Sequence, residues 1–366
     1  MRFRGPIRLC CVLAVCLPLA TGAMAQSAMQ NVEMAAEYLH GIQKEDGLFN
    51  YEYDFLAGKW STSDNIVRQG GTAYALALYY AETRDAQAAE SVRRALDAFE
   101  ARSVGFADGL LLSANGTLAD AKAGATALAL ISALLVEEPQ DRAKAWLRGL
   151  LALQRNDGRF ARGPFWAEPS PYYDGESWLA LAYSAQMGLL DDAPGSPLSR
   201  ADQAMVTRYG ENPDIGFFHW GQLATELRYK TTDDPIFVTF AAQQVAIYLA
   251  DMRPTVSATA NRCYSLEGLT AAMATLQAAP KWVVLRETIA ERVARVLVNS
   301  DALQIKPGAD GITIRDGVFL SLPELDQFAG AFLNGRTRPQ TRIDMTQHCL
   351  AAFLGAEKAD FGTFGQ

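Results

Sequence analysis

Residues 71–81 read GTAYALALYYA, residues 123–136 read AGATALALISALLV and residues 176–190 read ESWLALAYSAQMGLL. Each spans several helical turns and is apolar nearly all round, so it has no face for water and must be covered on every side. Between them lie helices of the opposite kind. From Ala86 to Arg102, the residues Ala89, Val92, Leu96 and Phe99 form one stripe, with Arg93, Arg94, Asp97 and Glu100 away from it; this is the pattern of a surface helix. Ala143, Trp146, Leu147, Leu150 and Gln154 repeat the stripe, as do Trp282, Leu285, Ile289, Val293 and Val296. The apolar segments begin near Gly71, Gly124, Gly175, Ile236, Ser265 and Asp344, and the first two intervals are 53 and 51 residues, a period of one helical hairpin per repeat. Six such hairpins, apolar helix inside and amphipathic helix outside, predict an all-α fold: an (α/α) toroid.

Residues 302–322 (ALQIKPGADGITIRDGVFLSL) break the pattern. Pro307-Gly308 and Asp310-Gly311 are turn formers beside the alternating stretch Ile312 to Ile314, which predicts an irregular or β-hairpin insert. No linker rich in Pro, Gly or Ser divides residues 26–366, so they are expected to form a single domain.

At the N-terminus, Arg2, Arg4 and Arg8 precede an apolar run from Leu9 to Ala20, and Ala23-Met24-Ala25 supplies a small-residue cleavage pattern. Residues 1–25 therefore read as a secretory signal peptide, which implies a periplasmic or secreted protein with no integral membrane segment after cleavage. The whole chain of 366 residues carries a formal charge of −8, and losing the three leader arginines leaves −11. That balance repels phosphate backbones and anionic lipid and argues against nucleic acid as a partner. Cleavage also removes Cys10, Cys11 and Cys16, leaving Cys263 and Cys349. In an oxidising compartment these two either pair, closing an 86-residue loop, or stay as buried thiols.

Gln43-Lys44-Glu45-Asp46-Gly47-Leu48-Phe49 and Gln154-Arg155-Asn156-Asp157-Gly158-Arg159-Phe160 are two copies of Q-x-x-D-G-x-F, each ending an amphipathic helix. The element resembles the Q-x-x-x-G-x-W/F repeat of α/α-toroid proteins, including terpenoid cyclases, and the wider pattern is similar to six-hairpin glycosidases. Its expected job is structural: Gly ends the helix, Asp caps the turn and the aromatic ring packs under the next hairpin. The chain lacks the acidic D-x-D-D cluster of the cyclases. With His40, His219 and His348 scattered along the sequence and two cysteines left, it also lacks an obvious zinc site, so no metal and no cofactor are expected. The resemblance leaves the carbohydrate-handling branch.

In such toroids the cleft lies where chain passes into the N-termini of the inner helices, here at loops 47–70, 157–175 and 209–236. Residues 49–60, 160–173 and 217–220 hold 13 aromatics in 30 positions, against 10% over the chain. Tyr51, Tyr53, Trp166, Tyr172, Tyr173 and Trp220 are thus candidates to stack on sugars. Asp54, Glu176 and Glu267 are the candidate catalytic carboxylates; a turn-forming role for Asp54 and helix-end capping for Glu176 and Glu267 are the alternatives. Asn65, Arg68 and Gln69, ahead of Gly70-Gly71, form a candidate anion corner suited to a uronate carboxylate, unless Arg68 pairs with an aspartate. His219 is either a general acid or base or a hydrogen-bonded packing residue. The expected function is glycan processing by an exported glycoside hydrolase acting on an acidic or envelope polysaccharide. A uronate lyase or epimerase, or a non-catalytic glycan binder, are the alternatives.

Overall fold

A computed structural model of the chain describes residues 19–136, 140–252, 262–277, 279–314 and 317–359. Residues 1–18, most of the expected leader, lie outside that range.

Six helices form the inner wall: α2 (Ile66–Thr83), α4 (Ala123–Val136), α6 (Pro171–Gln186), α8 (Ile215–Thr232), α10 (Arg262–Leu276) and α12 (Ile343–Lys358). Each packs on the next, and α12 packs back on α2, closing the ring. Outside lie α1 (Leu19–Gly41), α3 (Ala86–Arg102), α5 (Asp141–Ala152), α7 (Pro197–Glu211), α9 (Pro235–Ile247) and α11 (Val283–Asp301). The fold is an α/α toroid of six hairpins. The apolar pattern marks the wall directly: α4 is buried along nearly its whole length, and α3 buries Val92, Leu96 and Phe99 while exposing Arg93, Asp97 and Glu100.

One inner helix differs from expectation. The fourth is α8, starting at Ile215; the apolar segment at Ile236 is its outer partner α9, and the supposed loop 209–236 is mostly helix. The cause is polarity satisfied at a distance. Helix α8 carries Arg228, buried and bonded to Asp192 and Asp202, and His219, bonded to Glu267. Paired in this way, polar groups are tolerated inside. Helix α9 touches α7, α8 and α10 and so buries Phe237, Val238, Phe240 and Val245 despite its outer position.

Both Q-x-x-D-G-x-F copies do the same work. Gln43 donates to the Gly47 and Ser91 carbonyls, and Gln154 to those of Gly158 and Pro197, tying each turn to the next outer helix. Gly47 and Gly158 have φ of 85° and 82°, and a Cβ there would lie 2.3 and 2.4 Å from a carbonyl oxygen of that helix. Only glycine fits.

The remaining strands are short. β1 (Glu52–Asp54) pairs antiparallel with β2 (Lys59–Trp60) and with β7 (Gln340–Arg342), joining the first rim loop to the last. β3 (Ser103–Phe106) and β4 (Gly109–Leu112) form a hairpin, as do β5 (Gly311–Thr313) and β6 (Phe319–Ser321) within residues 302–322. Cys263 and Cys349 are joined as a disulfide, with Cα atoms 4.8 Å apart.

Candidate active site

The inner helices bring their second turns to one level near their N-terminal ends. Gly71, Glu176, Trp220, Glu267 and His348 are each the sixth residue of their helix, and His219 is a fifth. Residues up to 277 positions apart in the chain therefore share one end of the ring.

At the centre of this layer stands Glu267. His219 Nε2 lies 2.8 Å from its Oε2 and His348 Nδ1 lies 2.6 Å from its Oε1, so each carboxylate oxygen holds one imidazole. Burial raises the Glu267 carboxyl, but the two histidines outweigh it and hold the group below its ordinary value. Burial lowers His219, whose ring is wholly enclosed, so at neutral pH it is uncharged. The unit is an ionised carboxylate clamped by two imidazoles, and of these His348, with a side chain 10% exposed, is the one that meets solvent. These three ligand atoms lie within 4.8 Å of one another and have the donor types of a two-histidine, one-carboxylate metal site. The expectation of scattered histidines is thus corrected for two of the three; His40 instead bonds Ser91.

Glu176 is the opposite case. It is buried, its Oε2 has no hydrogen-bond partner, and burial alone pushes its carboxyl well above the usual range. Burial thus favours its neutral, protonated form. Room for it comes from Gly124 on α4, where a Cβ would lie 1.9 Å from Glu176 Oε2 and 2.6 Å from the Tyr173 ring. Gly124→Ala must displace the acid, and about a tenfold to hundredfold loss of turnover is expected from such a shift. The drop should exceed what a denaturation midpoint assigns to misfolding; unchanged turnover would remove Glu176 from the chemistry.

Tyr264 links the two acids. Its hydroxyl donates to the Gly216 carbonyl at 2.8 Å, its ring lies 4.3 Å from His219 and 5.0 Å from His348, and both Glu176 and Glu267 act on it electrostatically. Trp220 stacks at an angle on His219 with ring centres 4.2 Å apart. Tyr172, 47% exposed, has its ring 6.1 Å from that of Tyr264, and on the loop leading into α6 Trp166 is 47% and Phe165 68% exposed. On the other side Arg68 bonds the Tyr51 hydroxyl and sits 3.1 Å from Asp344, which Arg342 also grips with two hydrogen bonds.

Several expected site residues have structural work instead. Asp54 Oδ1 accepts from Leu56 and Ala57 N–H and Oδ2 from Gln340, so its carboxyl is held below its ordinary value and offers no proton. Tyr53 packs with Phe55, Trp60 and Phe328 under the three-stranded sheet. Asn65 caps α2 by accepting from Val67 and Arg68 N–H. Gln69 is fully buried, bonding the Phe49 backbone and Asp64; Asp174 at the same place in α6 holds Phe160. Arg68 does pair with an aspartate, Asp344, yet its side chain is 35% exposed, so it stays open to solvent and to a substrate anion. His348, Tyr264, Asp344 and Arg342 were not anticipated. The equal offset of Glu267 and His348 appears only once the helix starts are known: from the sequence-read starts Ser265 and Asp344 they lie two and four residues in, but from Arg262 and Ile343 each is the sixth residue.

Glu267 also lines a cavity of about 320 Å³ among the C-terminal halves of α2, α6, α8, α10 and α12, shared with Tyr74, Tyr183, Glu226, Lys230 and Lys358.

The architecture is that of a six-hairpin α/α toroid. Among solved structures, an inactive variant of the alpha-1,6-mannanase GH76A of Salegentibacter sp. HEL1_6, in complex with alpha-1,6-mannotetrose, matches with a TM-score of 0.62 at 10% identity, over 91% of this chain and 99% of that one. An unsaturated glucuronyl hydrolase specific for heparin matches at 0.59 and 12%, over 91% and 98%. A D-mannose isomerase matches at 0.58 and 14%, over 92% and 97%. No family model and no curated protein matches the sequence. Identities this low establish the fold alone. Among the described residues no helix is long and apolar enough to cross a membrane.

Proposed function

We propose that the protein is an exported glycan-processing enzyme, a glycoside hydrolase acting on an acidic or envelope polysaccharide at the N-terminal end of the helix ring. The observation that carries this reading is the divergence of two buried carboxyls in one layer: Glu176 is kept protonated by burial, and Glu267 is kept ionised by its histidines. Groups pushed apart in this way divide acid and base roles between them. Glu176 donates its proton to the departing glycosidic oxygen as the bond to the anomeric carbon breaks. Water attacks that carbon and gives its proton to His348, whose imidazolium Glu267 stabilises. The exposed rings of Phe165, Trp166 and Tyr172 stack on the sugar, and Arg68 faces an acidic substituent.

A second reading rests on a specific feature. Both Glu267 oxygens are taken by imidazoles, an arrangement that also suits proton abstraction from carbon, as a uronate lyase or epimerase requires. Incubation with acidic and neutral envelope polysaccharides separates the cases. New reducing ends mark hydrolysis, absorbance of an unsaturated uronate marks elimination, and solvent deuterium entering an intact sugar marks epimerisation. Retention without products marks a binder and overturns both readings. Arg68→Ala should raise KM for an acidic glycan about tenfold or more, the loss of one charged hydrogen bond, and leave a neutral glycan unaffected. Because Arg342 still holds Asp344, the variant should fold. Equal KM effects on both glycans would remove Arg68 from substrate recognition.

A further inference from the structure

Helices α10 and α12 run side by side in parallel, and four contacts mark their register from top to bottom. Cys263 is joined to Cys349, Glu267 meets His348, Gly355 sits so close to Thr270 that a Cβ would lie 2.7 Å from its hydroxyl, and Gln277 donates to the Ala359 carbonyl at 3.0 Å. The disulfide stands one turn above Glu267 on one helix and directly beside His348 on the other. Both cysteines are 1% exposed, within the wall of the ring. A slip of one residue moves a helix by about 1.5 Å along its axis. That is enough to break the 2.6 Å contact between Glu267 and His348, because a charge-assisted hydrogen bond weakens steeply with length and angle. No other covalent tie among the described residues joins these two helices.

We propose that the Cys263–Cys349 disulfide is a positioning element of the site: it fixes the register of α10 against α12 so that the Glu267 carboxylate and the His348 imidazole stay in contact. This rests on the reading of that pair as the base. It differs from a purely stabilising role, in which the crosslink acts by restricting the unfolded chain and leaves the folded site untouched.

The test compares the full mature chain with its Cys263→Ser/Cys349→Ser variant, and with wild type treated with a phosphine reductant, well below the melting temperature of each. The first readout is the far-downfield NMR signal of the imidazole N–H shared with Glu267, assigned through His348→Gln. It requires no substrate. The expected result is loss or upfield movement of that signal in the variant, with unchanged far-ultraviolet circular dichroism. Turnover should fall about tenfold or more, as for a misplacement near 1 Å, with KM nearly constant. A lower Tm with an unmoved signal and full turnover would overturn the proposal and leave a structural crosslink. If wild type turns over no glycan, the functional reading fails, yet the NMR comparison still decides whether the crosslink sets the register.

Discussion

Glu176→Gln lowers turnover about a thousandfold, the contribution expected of a general acid, and leaves the Tm at neutral pH unchanged or raised. The amide has nearly the shape of the acid but has no proton to give. Stability should not suffer, because the wild-type carboxyl already lacks a partner for its buried Oε2. The pH dependence gives a second check. Burial raises the folded-state pKa of Glu176 above its unfolded value. The neutral acid therefore contributes stability that is fully present below the ordinary glutamate pKa of about 4.3. That contribution is lost as pH rises toward and through the folded-state value. Glutamine has no such dependence, so the Tm of wild type should fall relative to that of the variant on going from acid to neutral pH. Parallel Tm curves would show that Glu176 is not held neutral, and full turnover would take the acid role from it.

Glu267→Ala has the largest combined effect. It removes the acceptor of two imidazoles at once, and the His219 ring, fully enclosed and with Nδ1 already unpartnered, is left with no hydrogen bond on either nitrogen. Breaking a buried pair by deleting one member costs about 3–5 kcal/mol, and turnover should fall to background. Glu267→Gln retains one acceptor and should lose less stability while still losing the base. Here the sign of the pH effect is reversed. The histidines hold the folded-state pKa of Glu267 below its unfolded value. Its stabilisation is therefore present above the ordinary glutamate pKa and is lost as pH falls through the folded value. Acid unfolding of wild type should be steeper than that of Glu267→Gln. Denaturant midpoints measured across acid pH check this; an alanine variant with wild-type stability would mean that the triad does not form.

The candidate site was legible in part. Glu176 stood out because a charge in the first turns of an otherwise apolar helix needs a hollow or a cap, and the structure gives it a hollow made by Gly124. Asp54, Asn65 and Gln69 belong to motifs whose turn and capping chemistry competes with any functional role, and in all three that chemistry won. The aromatic enrichment of the rim loops divided in the same way. Phe49, Phe55, Phe160, Phe217 and Phe218 close the top of the core, while Phe165, Trp166 and Tyr172 remain open to solvent. Composition counts rings but carries no sign of which way each one faces.

The sequence by itself determined the ring of paired helices, because helical periodicity and all-round apolarity are local properties that state how much of each helix must be covered. It also determined the two helix-ending turns, where Gln, Asp, Gly and Phe act within seven consecutive residues. Tertiary structure alone decided that His219, Glu267 and His348 meet, that α8 rather than α9 forms the wall, and that Cys263 faces Cys349. Each depends on the register between helices distant in sequence. A polar residue whose charge is satisfied by such a neighbour looks, in the sequence, the same as one satisfied by water.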